Sequence, residues 1–452
     1  MSNVLDLMDQ AAFLAERATG STNVLQWAWL YQGGVDLDGL RRFHRHLQRG
    51  RLARRIERSP LPFGRHRWVS TPAQPELEIV ESPRPREHFD SWLDEQADVA
   101  LDPERGPGWH LAVLPFTDGG AGVSFVTTHC LTDGVGICAA LADAACGHDD
   151  PVSWPAARSR RRWRALREDA RQTRRDLPAT RRALRDAARL ARGTHRTATA
   201  RPARSPRSPQ RVALATATVH IYGDWWDARA RALGGTGNAL LAAVTARLAR
   251  RTGRVTDAGC ATVAIPVNER VVGDTRANAI TAVDVEVDST MVTTDLTPVR
   301  AAIKHALVRR GTMPDERSAL LPLTPWLPRW AVRRMVGVAL GGATTSGSSN
   351  LGVINPAVNR PDGTDADCMA MRSLYPRSTA ATMRPTGGLL GLVSGRVNGQ
   401  IFLSALSHQP CDRNSNAQLL KDISEVLREF GIPSAAGWPA AEHNAHNLAK
   451  RG

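Results

Sequence analysis

A histidine at the end of a predicted strand is the residue in this sequence best suited to chemistry. His129 ends the β-branched run AGVSFVTTH and precedes a short loop that closes with Asp133 and Gly134. An imidazole, with an unperturbed pKa of about 6.5, is a competent general base near neutral pH once a fixed partner selects its tautomer. Gly134 has no Cβ, so backbone and ligand can approach closely, and the helix predicted after it directs free N–H groups at developing negative charge. An isolated histidine before an Asp-Gly turn is more often structural, so these residues alone leave both interpretations open.

Hairpins and amphipathic helices are predicted to position this loop in a mixed α/β (α+β) chain with mostly antiparallel strands. The turn at 118–120 and the dipeptide Asn398-Gly399 favour tight connections between strands, because glycine supplies positive φ. Alternation of apolar residues indicates strands and a three- to four-residue spacing indicates helices, the last of which ends at Gly431. The predicted strands are 111–116, 121–129, 211–222, 260–267, 280–288, 390–397 and 400–406, and the predicted helices are 135–146, 238–251 and 419–430.

The sequence divides at an arginine-rich segment. Residues 151–210 contain eighteen arginines and no lysine against four acidic residues, a local balance of +14, whereas the rest of the chain has 41 basic and 40 acidic residues. We therefore predict an N-terminal lobe at 1–150, a connector at 151–210, a C-terminal lobe at 211–435 and a flexible tail at 436–452. Pro178 is expected to split the connector into two helical pieces.

Two segments have open interpretations. The connector is either a solvated crossover or, through residues 158–196, a surface that docks onto anionic membrane headgroups or an acidic protein. The apolar, Pro-punctuated segment 320–342 carries Trp326 and Trp330. It is predicted to be a buried helix with an irregular entry, or else the wall of a tunnel or a lipid contact.

Composition excludes several classes of protein. Charge outside the connector is balanced, which argues against nucleic-acid binding. No run of about eighteen apolar residues predicts a membrane-spanning helix, and residues 1–20 lack a basic cap before an apolar run, so we expect a cytoplasmic protein. The six scattered cysteines form no Cys-x-x-Cys pair and have no histidine at ligand spacing, which predicts reduced thiols and no metal site.

The loop after the strand resembles a known catalytic signature. His129, Asp133 and Gly134 match the second His, the Asp and the Gly of the His-His-x-x-x-Asp-Gly motif of the CoA-dependent acyltransferase superfamily, while Thr128 stands where that family has its first His. The superfamily includes chloramphenicol acetyltransferase, the condensation domains of peptide synthetases and the bacterial wax ester synthase/diacylglycerol acyltransferases. Its catalytic residue is the second His, so the departure at Thr128 affects the family assignment more than the mechanism.

Five further stretches resemble the wax ester synthase branch and follow its order along nearly the whole chain. They are LDLMDQAAFL, RLARRIERSPLPFGRHRWV, GGTGNALLAAVTARLARR, AIPVNERVVGDTRANAI and TSGSSNLGVIN. The resemblance implies two chloramphenicol-acetyltransferase-like lobes that form a V, with a tunnel between them and His129 at its middle. Donor and acceptor are then expected to enter from opposite ends.

The resemblance also implies an activity and a set of site residues. His129 is expected to act as general base, Asp133 to orient the loop, and Gly134 to contribute a backbone N–H to the oxyanion. Asn278, Ser349 and Asn350 fall on family stretches of the opposite lobe, where they are expected to contact substrate or to cap backbone. Cys130 is not expected to pair with His129, since alternation along a strand places adjacent side chains on opposite faces.

The expected protein is an acyltransferase with no permanently bound cofactor. Its donor substrate is an acyl-CoA or a phosphopantetheinyl carrier thioester, and its acceptor is a small-molecule or lipid alcohol or amine. Two alternatives stay open. One is a free-standing condensation enzyme of a natural-product pathway that meets an acyl or peptidyl carrier protein, and the other is an inactive relative that binds an anionic surface through its arginine-rich segment, peripheral to a membrane.

Overall fold

Two β-sheets dominate the architecture. The structure, a computed structural model, describes residues 2–71, 76–149, 152–193, 211–312, 316–333, 345–383, 388–409 and 414–438. Most strand pairs are antiparallel and helices cover the sheets, so the mixed α/β class predicted from the sequence is confirmed. The strands are β1 (Val24–Tyr31), β2 (Arg54–Glu57), β3 (Arg67–Ser70), β4 (Glu78–Ile79), β5 (Trp109–Pro115), β6 (Ala121–Thr128), β7 (Ala215–Tyr222), β8 (Cys260–Asn268), β9 (Ile280–Asp288), β10 (Thr345–Val353), β11 (Cys368–Leu374), β12 (Leu389–Val397), β13 (Gln400–His408) and β14 (Ala435–Ala436).

Five of the described α-helices begin at polar caps. Asp6, Asp36, Asp133, Thr236 and Ser415 each accept a hydrogen bond from a backbone N–H of the first turn that they precede. Short 3₁₀ segments occur at Arg86–His88, Leu321–Trp326 and Pro356–Asn359. The α-helices are α1 (Leu7–Thr19), α2 (Leu37–Leu47), α3 (Phe89–Ala97), α4 (Gly134–Ala145), α5 (Arg162–Gly193), α6 (Gly223–Ala232), α7 (Gly237–Arg251), α8 (Thr297–Thr312), α9 (Glu316–Ala319), α10 (Ala380–Met383) and α11 (Asn416–Glu429).

The first sheet has the order β11-β1-β6-β5-β4. All eight residues of β1 are buried, as expected of a central strand covered on both faces. Ala28 and Leu30 pack with Phe89 of α3, whereas Trp27 and Trp29 lie in the cluster that includes α2 and α4. The hairpin β5–β6, predicted from its glycine turn, is present and delivers residue 129 to one end of this sheet.

The second sheet has the order β14-β7-β13-β12-β10-β8-β9 and packs against α7 and α11. The predicted hairpin β12–β13 turns at Asn398 and Gly399, whose φ angles are 47° and 77°, as a type I′ turn requires. The strands and helices predicted between 211 and 288, and the last helix, are all present.

The two sheets are tied together by the chain itself. Strand β11 comes from the second half of the sequence but pairs with β1 over seven residues and completes the first sheet. The ring of Trp27 meets that of Phe402 on β13 edge-on, with centroids 5.9 Å apart. The hydrophobic core of the first sheet therefore continues into the second.

Three local predictions need correction. Helix α5 runs as one helix through Pro178, so the connector is not split, and residues 194–210 lie outside the described residues. Residues 320–333 form no buried helix, because Trp326 and Trp330 are exposed, while 334–342 are not described. The tail packs as far as Trp438, whose indole N–H donates to Asp90 at 2.9 Å, and 439–452 lie outside the described residues.

Candidate active site

His129 lies immediately after β6, in the turn that leads to α4. Its backbone N–H donates to the carbonyl of Asn23 at 2.8 Å, and its carbonyl accepts from the side-chain amide of Asn278 at 3.1 Å. The imidazole is half-buried, and neither ring nitrogen has a hydrogen-bond partner within the described residues. The backbone is thus fixed from both halves of the chain while the ring stays available to another molecule.

Asp133 fastens the other end of the same loop. It caps α4 by accepting from the N–H of Gly136 at 2.6 Å, and its second oxygen accepts from the N–H of Ala279 at 2.8 Å. That second oxygen also forms an ion pair with the Arg270 guanidinium at 2.7 Å, with Asp133 fully buried. Both carboxylate oxygens are thus occupied by the protein, and the expected role of Asp133 in orienting the loop stays a prediction.

Gly134 is the first residue of α4 and lies against β10 of the second sheet. A Cβ at this position would lie 2.7 Å from Cδ2 of Leu351, at the end of β10. The sequence predicts that the missing Cβ of Gly134 lets a ligand approach closely. The structure shows that the missing Cβ is also needed for Leu351 to pack against this residue. Because Asp133 caps only Gly136, the N–H groups of Gly134 and Val135 have no partner in the described part of the chain and can receive negative charge.

Asn278 is held by a buried carboxylate. Asp9 on α1 accepts from the backbone N–H groups of Ala277 at 2.9 Å and Asn278 at 2.7 Å, and from the Asn278 amide at 3.3 Å. Burial raises the pKa of Asp9 to about 6, although these hydrogen bonds oppose the shift. The Asn278 amide, expected to contact substrate or to cap backbone, is buried and bonded to His129 and Asp9.

Thr128, which replaces the first His of the signature, contacts a second buried carboxylate. Its hydroxyl and the Cys130 thiol donate to the same oxygen of Glu16, at 3.1 and 3.2 Å. Burial raises the pKa of Glu16 and raises that of Cys130 well above its ordinary value. A buried, protonated thiol is a poor nucleophile, in agreement with the expectation that Cys130 does not act with His129.

Ser349 and Asn350 lie on β10, directly before the Leu351 that contacts Gly134. Ser349 is half-buried, while Asn350 is exposed and donates from its amide to Asn238. The Asn350 side-chain oxygen accepts from the N–H of Gly352 at 2.8 Å. The structure therefore brings the strand of these two residues to the N-terminus of α4, but Asn350 itself is occupied in a local turn.

Sequence reasoning missed the residues that hold the loop. Arg270 and Asp9 fall inside the family-like stretches AIPVNERVVGDTRANAI and LDLMDQAAFL, which was the available signal, but nothing marked their partners. Glu16 has no sequence signal at all. Arg54 donates to the carbonyls of Leu131 and Thr275, at 2.9 and 2.6 Å, and so ties the loop to the segment after β8.

No family model matches the sequence, and no curated protein matches it. Solved structures with similar folds include the first condensation domain of the CDA synthetase, with a TM-score of 0.59 and 16% identity over 96% of this chain and 97% of that one. The wax ester synthase/diacylglycerol acyltransferase from Marinobacter aquaeolei VT8 aligns with a TM-score of 0.55 and 14% identity, covering 94% of this chain and 98% of that one. The chain has the fold of the CoA-dependent acyltransferases.

This result confirms the fold predicted from the sequence. The TRI3 trichothecene 15-O-acetyltransferase from Fusarium sporotrichioides has the same fold, with a TM-score of 0.59 and 12% identity over 95% of this chain and 94% of that one. At such identities the likeness concerns the fold, while the role of each residue rests on the geometry above.

Among the described residues, no group of three or more His, Cys, Asp or Glu side chains lies close enough to hold a metal ion. None of the helices that the structure describes is both long and apolar enough to cross a bilayer.

Proposed function

We propose that this protein transfers an acyl group from a thioester donor to an alcohol or amine, with His129 as general base. The observation that carries the proposal is the half-buried imidazole with two unpaired ring nitrogens, fixed through its backbone by Asn23 and Asn278. A base must reach a substrate proton directly, and a ring nitrogen without a hydrogen-bond partner can do so, although the fixed partner expected to select the tautomer is not among the described residues. The acyltransferase fold supports the same reaction class.

The reaction proceeds by direct attack. A ring nitrogen of His129 takes the proton from the acceptor hydroxyl or amine as its oxygen or nitrogen bonds to the thioester carbonyl carbon. The tetrahedral intermediate then collapses, the carbon–sulfur bond breaks, and the imidazolium returns the proton to the departing thiolate. The products are an ester or amide and a free thiol, without an acyl-enzyme.

The developing oxyanion needs hydrogen-bond donors nearby. The free N–H groups of Gly134 and Val135, at the positive end of the α4 dipole, are the candidates. Loss of one such donor typically costs about 3 kcal/mol of transition-state binding. In this scheme Asp133 and Asn278 are positioning residues: they hold the two ends of the loop and do not meet the reacting atoms.

The substitution His129→Ala tests the proposal. Thiol release from acyl-CoA and acyl-carrier donors is followed with a panel of alcohols and amines, and we expect the rate to fall by about 10² to 10⁴ because the proton acceptor is lost. His305→Ala is the matched control, since His305 is exposed on α8 and should leave the rate unchanged. Unchanged thiol release in H129A, with a working acceptor, would remove the catalytic role and favour a binding protein.

The donor defines a second candidate, a free-standing condensation enzyme. The specific observation is the similarity to a condensation domain over nearly its full length. Parallel assays of one acyl group, presented as the CoA thioester and as the phosphopantetheinyl carrier thioester, separate the two. Turnover only from the carrier form supports the condensation enzyme, and turnover from acyl-CoA supports the wax ester synthase-like activity.

A further inference from the structure

Helix α5 presents an arginine stripe to solvent. Its exposed arginines recur at spacings of three, four and seven residues, which keeps them on one face of a helix. Arg164 and Arg189 at the ends of the stripe pair with Glu168 and Asp186, and the part between residues 167 and 185 extends about 27 Å at 1.5 Å per residue. Six of its members have no acidic partner within the described residues, and these are Arg167, Arg171, Arg174, Arg175, Arg182 and Arg185.

The opposite face of α5 is fixed to the protein. Asp169 is buried and pairs with Arg67 and Arg160, each at 2.9 Å, and Asp176 pairs with Arg65 at 3.4 Å. Two of the four acidic residues of the helix are thus turned inward, where they do not neutralise the stripe. The helix is anchored on one side and uniformly cationic on the other.

An apolar edge runs beside the stripe. Trp163, Ala170, Leu177 and Leu184 follow one another at intervals of seven residues and so share one side of the helix. Trp163 is 84% exposed and Leu184 56% exposed, and Ala170 is exposed as well, whereas Leu177 is half-buried. The edge therefore presents apolar surface to solvent at both of its ends.

More exposed aromatic rings lie next to α5. Thr180 of α5 donates to the carbonyl of Pro322, in the 3₁₀ segment that ends at Trp326. The Trp326 ring stacks on that of Phe63 at 4.6 Å, and both are exposed, while Trp330 is 71% exposed. The segment that carries these rings therefore contacts α5 through Thr180, on the buried side of the helix.

We infer that this face docks onto a bilayer containing anionic lipids. Guanidinium groups bind lipid phosphates through paired hydrogen bonds, and Trp, Phe and Leu side chains enter the headgroup boundary beside them. A basic stripe next to an apolar, Trp-bearing edge has the chemistry of an interfacial helix. The exposed Trp163 and Leu184 favour a bilayer over an acidic carrier protein, because a partner that matches only the charges would leave these apolar side chains in water.

Vesicle sedimentation of the full chain tests this inference. We expect binding to vesicles of phosphatidylcholine mixed with phosphatidylglycerol, little binding to phosphatidylcholine alone, and weakening as salt is raised. The variant R167Q/R171Q/R182Q/R185Q should lose at least about tenfold in affinity for the anionic vesicles. Gln matches Arg in helix propensity, so the variant should keep its helix, which circular dichroism checks.

Two further variants sharpen the experiment. R45Q/R105Q/R300Q/R309Q removes the same charge from exposed arginines elsewhere that have no acidic partner in the described part of the chain, and it should bind as the wild type does. Trp163→Ala should weaken binding without changing its salt dependence, because it removes apolar contact and no charge. The inference is overturned if the stripe variant binds like the control, if neutral vesicles bind equally well, or if the stripe is needed for an acidic carrier protein while anionic vesicles do not bind.

Discussion

Three buried carboxylates surround the loop of His129, and none of them touches the imidazole. Asp9, Glu16 and Asp133 instead accept hydrogen bonds from backbone N–H groups, a hydroxyl, a thiol and a guanidinium. A buried charge is tolerated only when such donors satisfy it. Burial raises the pKa of Asp9 to about 6 and also raises that of Glu16. Asp9 is therefore expected to titrate near neutral pH.

The stability of the protein should depend on the protonation of Asp9. Burial raises the pKa of Asp9 to about 6, above the ordinary value, so the folded state holds this proton at pH values where the unfolded state releases it. Protonated Asp9 adds up to roughly 3 kcal/mol to the free energy of unfolding. This contribution is fully present below about pH 4 and is lost as the pH rises to about 6. Urea unfolding at several pH values should therefore show that the wild-type free energy of unfolding, relative to Asp9→Asn, falls across this range. A difference that does not change with pH would contradict the assignment.

At the scale of elements, turns and helix ends could be predicted from the sequence, whereas the pairing of distant strands could not. The hairpin at Asn398-Gly399 and helix α4 after Asp133 follow from turn and cap chemistry within a few residues. Strand β11 has no such signal, since its place is set by pairing Val24 with Leu374, which lie far apart in the sequence. The same distinction applies to the candidate site. The local motif pointed to His129, Asp133 and Gly134. The residues that bond to their loop, Asp9, Glu16 and Arg270, can be recognised only once the fold brings them together.

Pro178 is an exception to the reliability of local signals, because α5 continues through it although proline normally interrupts a helix. It lacks the N–H that would bond the carbonyl of residue 174, yet α5 continues through it while the inward face stays paired. Replacing this exposed proline by alanine should strengthen the protection of α5 amides against hydrogen exchange by about 2 kcal/mol, since proline is the poorest residue in a helix interior. Ala170→Pro, also exposed in α5, should weaken protection by a similar or larger amount. Equal protection in wild type and P178A would mean that the helix already bends there without cost.

At the scale of the whole molecule, the two sheets depend on each other through β11. Arg372 on this strand is buried, donates twice to the Gln26 side-chain oxygen on β1, at 3.0 and 2.6 Å, and pairs with Asp94 of α3 at 3.0 Å. Gln26 in turn donates to the carbonyl of Leu93 at 2.8 Å. Without β11 the first sheet would expose the edge of its central strand β1. The first sheet is therefore structurally incomplete without a strand from the second half of the chain.

This dependence predicts one cooperative unfolding transition. The fully buried tryptophans at 27, 29, 68, 92 and 109 make fluorescence report mainly on the first sheet and its surroundings, whereas far-ultraviolet circular dichroism reports on the whole chain. Both signals should follow the same urea curve.

Arg372→Met should lower the free energy of unfolding in both signals by about 2 kcal/mol, because it leaves the Gln26 oxygen unpaired in the core. Arg360→Met, which removes an exposed partner of Asp365 at 3.8 Å, should cost less than about 1 kcal/mol. Two separate transitions, or a shift of the fluorescence curve alone in R372M, would show that the lobes fold independently.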